Sequence, residues 1–521
     1  MKKYFFLILF VFSNTFIHAQ INEGDTLQFW SVSYVDWPPL WGTPQRIVNA
    51  VCKKAGQHCY VFVEDVATQP SQAALDTLVH RFDEHYFPNL TPLYGPVPDA
   101  FDNDSNVFIL ALDETNWAGY FDPGQQMPDT FIFSHWGMHS SQREMIFVAA
   151  YYFSGAPSIV AHEFGHLLHW QQDHSPEPPV NPVKYWEEAW IDEGFSTFAA
   201  EFLTQNITQQ GVMHNNAFFA SNPDLPLIYF LSGASYDQVL MWTVFMFEHY
   251  GGTQYIKTLI QEQANGIDGM RNALDSLGYS ESFEDAFEQW IVANYIDDPV
   301  FESGKYSYFH FNFPVAQQTY VHNVYPTGPK TQTVTPFGAD YNIFNATSSG
   351  QLSVTFNGDD TLKYRLAFVL MNTATSTIVD VISAEPDAQN EAVFNAADFG
   401  TEYNKIVMAV MCIDTALSDS STAAYSYSAA VSPASVEDIK TRKEILLFPV
   451  PASDILNVTF GSDAFPDSCG YEISGSGGTA LLAGKISAKS AGINISKLKP
   501  AVYFIEIRTS GNVYFNKFIK Q

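Results

Sequence analysis

Ala161-His162-Glu163-Phe164-Gly165-His166-Leu167-Leu168-His169-Trp170 is the stretch on which the reading of this chain turns. Pro157 just upstream suits a first helical turn, where its missing N–H is not needed. Ile159, Val160, Leu167 and Leu168 give that helix apolar contacts. His162 and His166 stand at i and i+4, so both imidazoles leave one face and can hold a single Zn²⁺. Glu163 then lies beside the open coordination position, placed to take a proton from a water there. The plainer reading is a helix with polar histidines packed in its core, and the rest of the chain has to decide between them.

His169 shares the face of His162 and His166, but reaching their metal would need a bend in the helix. A metzincin pattern would require Gly at 169 and His at 172. The chain has His169 and Gln172, so that class is excluded and His169 reads as a supporting or structural residue. A third ligand is sought in Trp186-Glu187-Glu188-Ala189-Trp190-Ile191-Asp192-Glu193-Gly194-Phe195-Ser196-Thr197. Only Glu193 is ringed at helical spacing by apolar or small residues: Trp186, Ala189, Trp190, Thr197 and Ala200. A carboxylate on such a face is costly unless paired or bound to metal. Asp192 and Glu188 point elsewhere and fit solvated or supporting roles. Two His and one Glu, with water as fourth ligand, make a catalytic rather than a structural zinc set.

With Trp190-Ile191-Asp192-Glu193-Gly194-Phe195 following it, the His162/Glu163/His166 motif resembles the gluzincins, the thermolysin-like zinc peptidases, and most nearly the hyicolysin-like bacterial enzymes. The likeness runs loosely from about Tyr60 to about Tyr295 and takes in Gly119-Tyr120-Phe121-Asp122-Pro123. It implies an α+β zincin-type catalytic domain, with Met145 to Tyr152 as an edge strand that binds substrate backbone. The second motif also resembles the W-L-N-E-G-F of zinc aminopeptidases, with Asp192 in place of Asn. The amine-binding G-x-M-E-N motif of that group is absent, and Gly137-Met138-His139 is no substitute. Endopeptidase is therefore favoured over aminopeptidase. An oxyanion donor opposite the base is also needed, and the candidates are His214, Tyr236, His249 and Tyr250. The run Tyr236 to Gly252 is similar to the aminopeptidase helix that opens on a catalytic Tyr and ends at Gly-Gly, which implies that role for Tyr236. It departs from that family at Val239, where the family has Gly.

Composition sets the surroundings. The chain has 521 residues, 46% of them hydrophobic and 15% aromatic, too many for an acidic disordered polymer. Its formal charge of −31 excludes nucleic acid as a partner, since such binding needs a basic surface. Lys2-Lys3, the apolar run Tyr4 to Phe12 and Ile17-His18-Ala19 read as a secretory signal peptide over 1–19, too short to span a bilayer. No later stretch is long enough for a membrane span. Cys52 and Cys59 are spaced to clamp a local hairpin or turn in an exported protein, while Cys412 and Cys469 lie in different modules.

The remaining organisation is β-rich. Residues 20–64 read as an N-terminal β segment, 65–305 as the metallopeptidase domain, 306–431 as a β-sandwich and 432–443 as a linker. Residues 444–521 form a small all-β module. Phe448-Pro449-Val450-Pro451-Ala452-Ser453-Asp454-Ile455-Leu456-Asn457-Val458, with Tyr503-Phe504-Ile505 and Lys517-Phe518-Ile519-Lys520, resembles a type IX secretion sorting domain. It departs from that pattern at Val450 and Ala501. Asp102-Asn103-Asp104-Ser105-Asn106 has alternate oxygen donors, as a Ca²⁺ loop would, but lacks the Gly and distant Glu of an EF-hand.

The expectation is a secreted zinc endopeptidase. His162, His166 and Glu193 hold Zn²⁺, Glu163 is the base and Tyr236 the oxyanion donor. Its partners are protein or peptide substrates and the type IX secretion machinery. The alternative from another class is an inactive adhesin or binding protein on a peptidase scaffold, against which the retained Glu163 argues.

Overall fold

The computed structural model describes residues 21–32, 45–98, 101–102, 104–173, 187–203, 216–230, 233, 235–310, 315–433, 445–460, 469–475, 479–509 and 513–521. The expected signal peptide lies outside them, as does the 434–443 part of the expected linker. The chain divides into two units, Met1–Ser432 and Pro433–Gln521.

In the first unit, β1 (Thr26–Val32), β2 (Gln45–Ala55), β3 (Cys59–Glu64), β4 (Val107–Leu112), β5 (Gly119–Phe121) and β6 (Met145–Ala149) form one sheet in the order β1-β2-β3-β4-β6-β5. β3, β4 and β6 are parallel, and β5 runs back antiparallel along β6 as the edge. Residues 20–64 thus supply three strands of the sheet that continues into 107–149. Val61, Val63, Ile109 and Val148 face one apolar cluster, and Phe62, Phe108, Leu110 and Phe147 face another. Burial on both faces is why Val107–Leu112 is apolar without alternation.

The expected Cys52/Cys59 clamp is not formed. Cys52 lies opposite Phe62 and shares its face, while Cys59 belongs to the cluster on the other side of the sheet. Thiols on opposite faces cannot approach to bonding distance. Both are buried free cysteines, as are Cys412 and Cys469.

Among the described residues the α-helices are α1 (Gln72–Arg81), α2 (Phe87–Tyr94), α3 (Asp129–Trp136), α4 (Ala156–Asp173), α5 (Ala189–Phe198), α6 (Asn216–Ser221), α7 (Ser235–His249), α8 (Thr253–Ile260), α9 (Gly266–Leu277) and α10 (Phe283–Ile296). α4 lies across β6 and β5, α5 packs on α4, and α7 packs on α5. Two glycines set those crossings. A Cβ at Gly165 would stand 3.0 Å from Ser196 Cα and 3.2 Å from Ala199 Cβ. One at Gly194 would meet Thr243 Oγ1 at 2.7 Å and Val239 O at 3.3 Å. Glycine costs a helix interior about 1 kcal/mol against alanine, and here it allows three backbones to close on one another.

Among the described residues, nine further strands belong to the first unit: β7 (Tyr320–His322), β8 (Thr327–Val334), β9 (Ala339–Asn345), β10 (Gly350–Gly358), β11 (Tyr364–Asn372), β12 (Thr377–Ala384), β13 (Glu391–Phe399), β14 (Lys405–Cys412) and β15 (Ala423–Pro433). They form two sheets, β13-β10-β15-β8 and β12-β11-β14-β9-β7. Ile406, Met408 and Val410 fill the space between the sheets, whereas Val407, Ala409 and Met411 join the helical core. The sandwich is therefore docked on the helices. Tyr341 donates to the Ile291 carbonyl at 2.7 Å, and Arg365 pairs with Asp285 at 2.7 Å and Glu288 at 3.3 Å on α10.

The second unit contains β16 (Ile445–Phe448), β17 (Ile455–Phe460), β18 (Cys469–Ser474), β19 (Ala480–Ile486), β20 (Ser490–Asn494), β21 (Ala501–Arg508) and β22 (Val513–Lys520). Its sheets β16-β17-β20 and β19-β18-β21-β22 enclose a small core with Leu456, Val458, Ile473, Ile505 and Phe518.

Candidate metal centre

α4 presents His162 and His166 on the face that α5 crosses, and α5 brings Glu193 to them. His162 Nε2 is 3.1 Å from Glu193 Oε2 and 3.1 Å from His166 Nε2. His166 Nε2 is 3.5 Å from Glu193 Oε2. Donors about 2.05 Å from a tetrahedral ion lie about 3.3 Å from one another, so this triangle is the size of a zinc face. The donor chemistry also fits: two imidazoles and a carboxylate, with His162 keeping 17% of its side chain open to solvent. Three of the four expected apolar neighbours of Glu193 that are described, Trp190, Thr197 and Ala200, are buried; Trp186 lies outside the described residues. Burial would push the Glu193 carboxyl up, but His166 and His162 outweigh it and hold it at about 2.

Asp192 has a larger part than its sequence position suggests. Its Oδ2 accepts from His166 Nδ1 at 2.8 Å and its Oδ1 from His169 Nδ1 at 2.8 Å. Burial opposes its charge, but His166 and His169 carry its carboxyl well below the ordinary range. A carboxylate on Nδ1 fixes the proton there and aims the Nε2 lone pair at a metal. His169 is not part of the first triangle; its Nδ1 is bonded to Asp192, and it groups with Asp173 and Glu187. Glu187 and Glu188, the other acids of the segment, have their own partners. Glu187 accepts from Glu188 N at 2.6 Å and Gly266 N at 2.7 Å, and Glu188 accepts from Trp190 Nε1 at 2.6 Å.

Glu163 is buried, and burial raises its carboxyl against the lowering pull of His162 and His166. A Cβ at Gly119 would stand 3.2 Å from Glu163 Oε1, which puts β5 next to this acid. This corrects the expected edge strand. Met145–Ala149 is β6, covered by β4 on one side and β5 on the other, so the edge beside Glu163 is Gly119–Phe121. The short return of β5 hides an apolar strand that sequence alone leaves open.

Tyr236, at the start of α7, stacks edge-on against His162 with ring centroids 5.8 Å apart. Burial first, then Glu193 and Glu163, raise its phenol far above the ordinary range, and it hydrogen-bonds the Glu193 side chain. The competing donors are elsewhere. His249 is bonded through Nε2 to the Ser307 carbonyl at 2.9 Å, and Tyr250 Oη donates to Gln289 at 3.2 Å. His214 lies outside the described residues. At the proposed Ca²⁺ loop, Asp102 pairs with Arg143 at 2.5 Å, and Asp102 and Asp104 accept turn amides from Asp104 and Asn106; Asn103 is not described.

Residues 446–521 match the family of the secretion system C-terminal sorting domain. The protein is therefore secreted or attached at the cell surface, and the type IX secretion machinery is its partner. Among the described residues no helix is long and apolar enough to cross a membrane. Comparison with curated proteins finds no match. Among solved structures, the pre-peptidase C-terminal domain of a Bacillus anthracis collagenase is 16% identical, with 22% of this chain and 99% of that one covered and a TM-score of 0.16. The BSP domain of a biofilm-associated protein is 9% identical, covering 38% and 53% of the two chains at a TM-score of 0.14. At these TM-scores neither likeness bears on function.

Proposed function

We propose that this chain is a secreted, zinc-dependent endopeptidase of the zincin type. The observation that carries the proposal is the His162/His166/Glu193 triangle with sides of 3.1, 3.1 and 3.5 Å, with the buried Glu163 next to it in the motif. When bound there, Zn²⁺ supplies Lewis acidity that activates a water and polarises the scissile carbonyl. Glu163 accepts the proton of the attacking water and returns it to the amine nitrogen as the C–N bond breaks. Its raised carboxyl favours that return. Tyr236 moves its hydroxyl hydrogen bond from Glu193 to the oxyanion. The exposed edge of β5 offers backbone N–H and C=O groups to an extended substrate, as a strand added to the sheet. Asp192 holds His166 in the tautomer that leaves Nε2 free for the ion.

Digestion of an unstructured protein such as casein tests this reading. The parent is expected to produce internal fragments, and Glu163→Gln to retain the metal but not the cleavage. An equally active Glu163→Gln protein, or an adhesin that binds peptides without cutting them, contradicts it. Release of single amino acids in place of internal fragments would make it an aminopeptidase.

A further inference from the structure

One helical turn beyond the triangle, α4 carries a second convergence of donors that the peptidase reading does not use. One ligand atom each of His169, Asp173 and Glu187 lies within 4.8 Å of the other two. The three residues are only 1%, 6% and 9% exposed. His169 Nε2, Asp173 Oδ1 and Glu187 Oε2 are buried without a hydrogen-bond partner among the described residues. Buried polar atoms of native proteins are satisfied in the great majority of cases, so three orphans facing one point call for a ligand. We propose that His169, Asp173 and Glu187 form a second metal site, which binds a first-row divalent transition-metal ion of the Zn²⁺ or Mn²⁺ class.

The hydrogen bonds around the cluster make the argument specific. His169 Nδ1 is bonded to Asp192 Oδ1, which assigns the proton to Nδ1 and turns the Nε2 lone pair toward the two carboxylates. A lone pair facing two carboxylates is repulsive unless a proton or a metal ion sits between them. Glu187 Oε1 is fixed by the amides of Glu188 and Gly266, leaving Oε2 as the free oxygen. Asp192 thus backs one imidazole of each cluster, and His169 copies the carboxylate–histidine arrangement of His166. Ions of this class bond at about 2.0–2.2 Å, so closing on one requires the cluster to contract from within 4.8 Å to donor separations of about 3.3 Å. One nitrogen and two oxygens suit such an ion better than Ca²⁺ or Mg²⁺, which prefer oxygen alone. Burial also raises Asp173 to about 6 and Glu187 to about 7, against the lowering pull of His169. The bound ion ties the end of α4 to the segment just before α5 and, through Gly266, to the start of α9.

The test is a zinc titration of the chelator-stripped full chain, with bound metal counted after gel filtration. Two equivalents are expected for the parent. One is expected for the near-isosteric Asp173→Asn/Glu187→Gln variant, and one for His162→Ala. A single parental equivalent, or a second one that survives Asp173→Asn/Glu187→Gln, overturns the proposal. Failure of the first site reads differently: His162→Ala then keeps as much metal as the parent. The parental titration needs no variant to fold, and the second equivalent is also expected to raise the parental melting temperature above that of the singly loaded chain.

Discussion

The two donor clusters on α4 share an acid yet differ in everything that decides reactivity. His162, His166 and Glu193 face a partly open space with Glu163 beside them, and His162 keeps 17% of its side chain exposed. His169, Asp173 and Glu187 are buried, and Asp192 orients the His169 ring. An open coordination position with a nearby base is what a hydrolytic site requires, and a closed set of ligands is what a structural one requires. One turn apart along the same helix, the two candidate clusters differ in solvent access.

Replacing the base should expose that difference most sharply. Glu163→Gln is expected to lower kcat by roughly 10²–10⁴, the range for lost general acid–base catalysis, without changing the metal content of either cluster. Loss of metal on this substitution would mean that Glu163 is a ligand. Tyr236→Phe should cost roughly 10²–10³ in kcat with KM little changed, the effect of one missing oxyanion donor. Near-parental kcat would move that role to His214.

Asp192→Asn tests what the clusters share. Both imidazoles lose their anionic partner, so metal affinity is expected to fall about 10–100-fold at the first cluster and, with it, at the second. Equilibrium dialysis measures both, and a change at only one would break the idea of a common support. The smallest effect is expected from Gly165→Ala, which adds a methyl against Ser196 Cα and Ala199 Cβ. Overpacking of about 1–3 kcal/mol is partly offset by the helix preference for alanine. Urea unfolding should show a net loss of at most about 2 kcal/mol.

What could be read from the sequence follows distance along the chain. His162, Glu163 and His166 are legible because a helix converts four residues of spacing into one face. Glu193 is legible because an acid amid apolar neighbours needs a reason to be there, and the structure brings it to both histidines. Tyr236 came from resemblance, and the fold places it against His162. The bridging by Asp192 was missed, since its two histidines sit on another helix and the crossing depends on Gly165 and Gly194. Those glycines were the available signal, because a glycine in a helix of good formers marks a close approach. The edge role of β5 was hidden because three residues make too short a strand to compete with Met145–Tyr152 as a pattern. Cys52 and Cys59 misled for a simpler reason: nearness in sequence says nothing about which face of a sheet a side chain takes. The docking of the sandwich left its trace in Lys405–Cys412, an apolar run that a sandwich open to water on one side would not contain.

The central claim is that the first cluster hydrolyses peptides through a metal, and zinc add-back tests it most directly. The chelator-stripped chain is mixed with casein, and cleavage is followed as Zn²⁺ is returned in sub-stoichiometric steps. No cleavage is expected without metal, and restored internal cleavage is expected as the His162/His166/Glu193 site fills. Cleavage that persists in the stripped chain, or none when that site is fully loaded, would contradict the account.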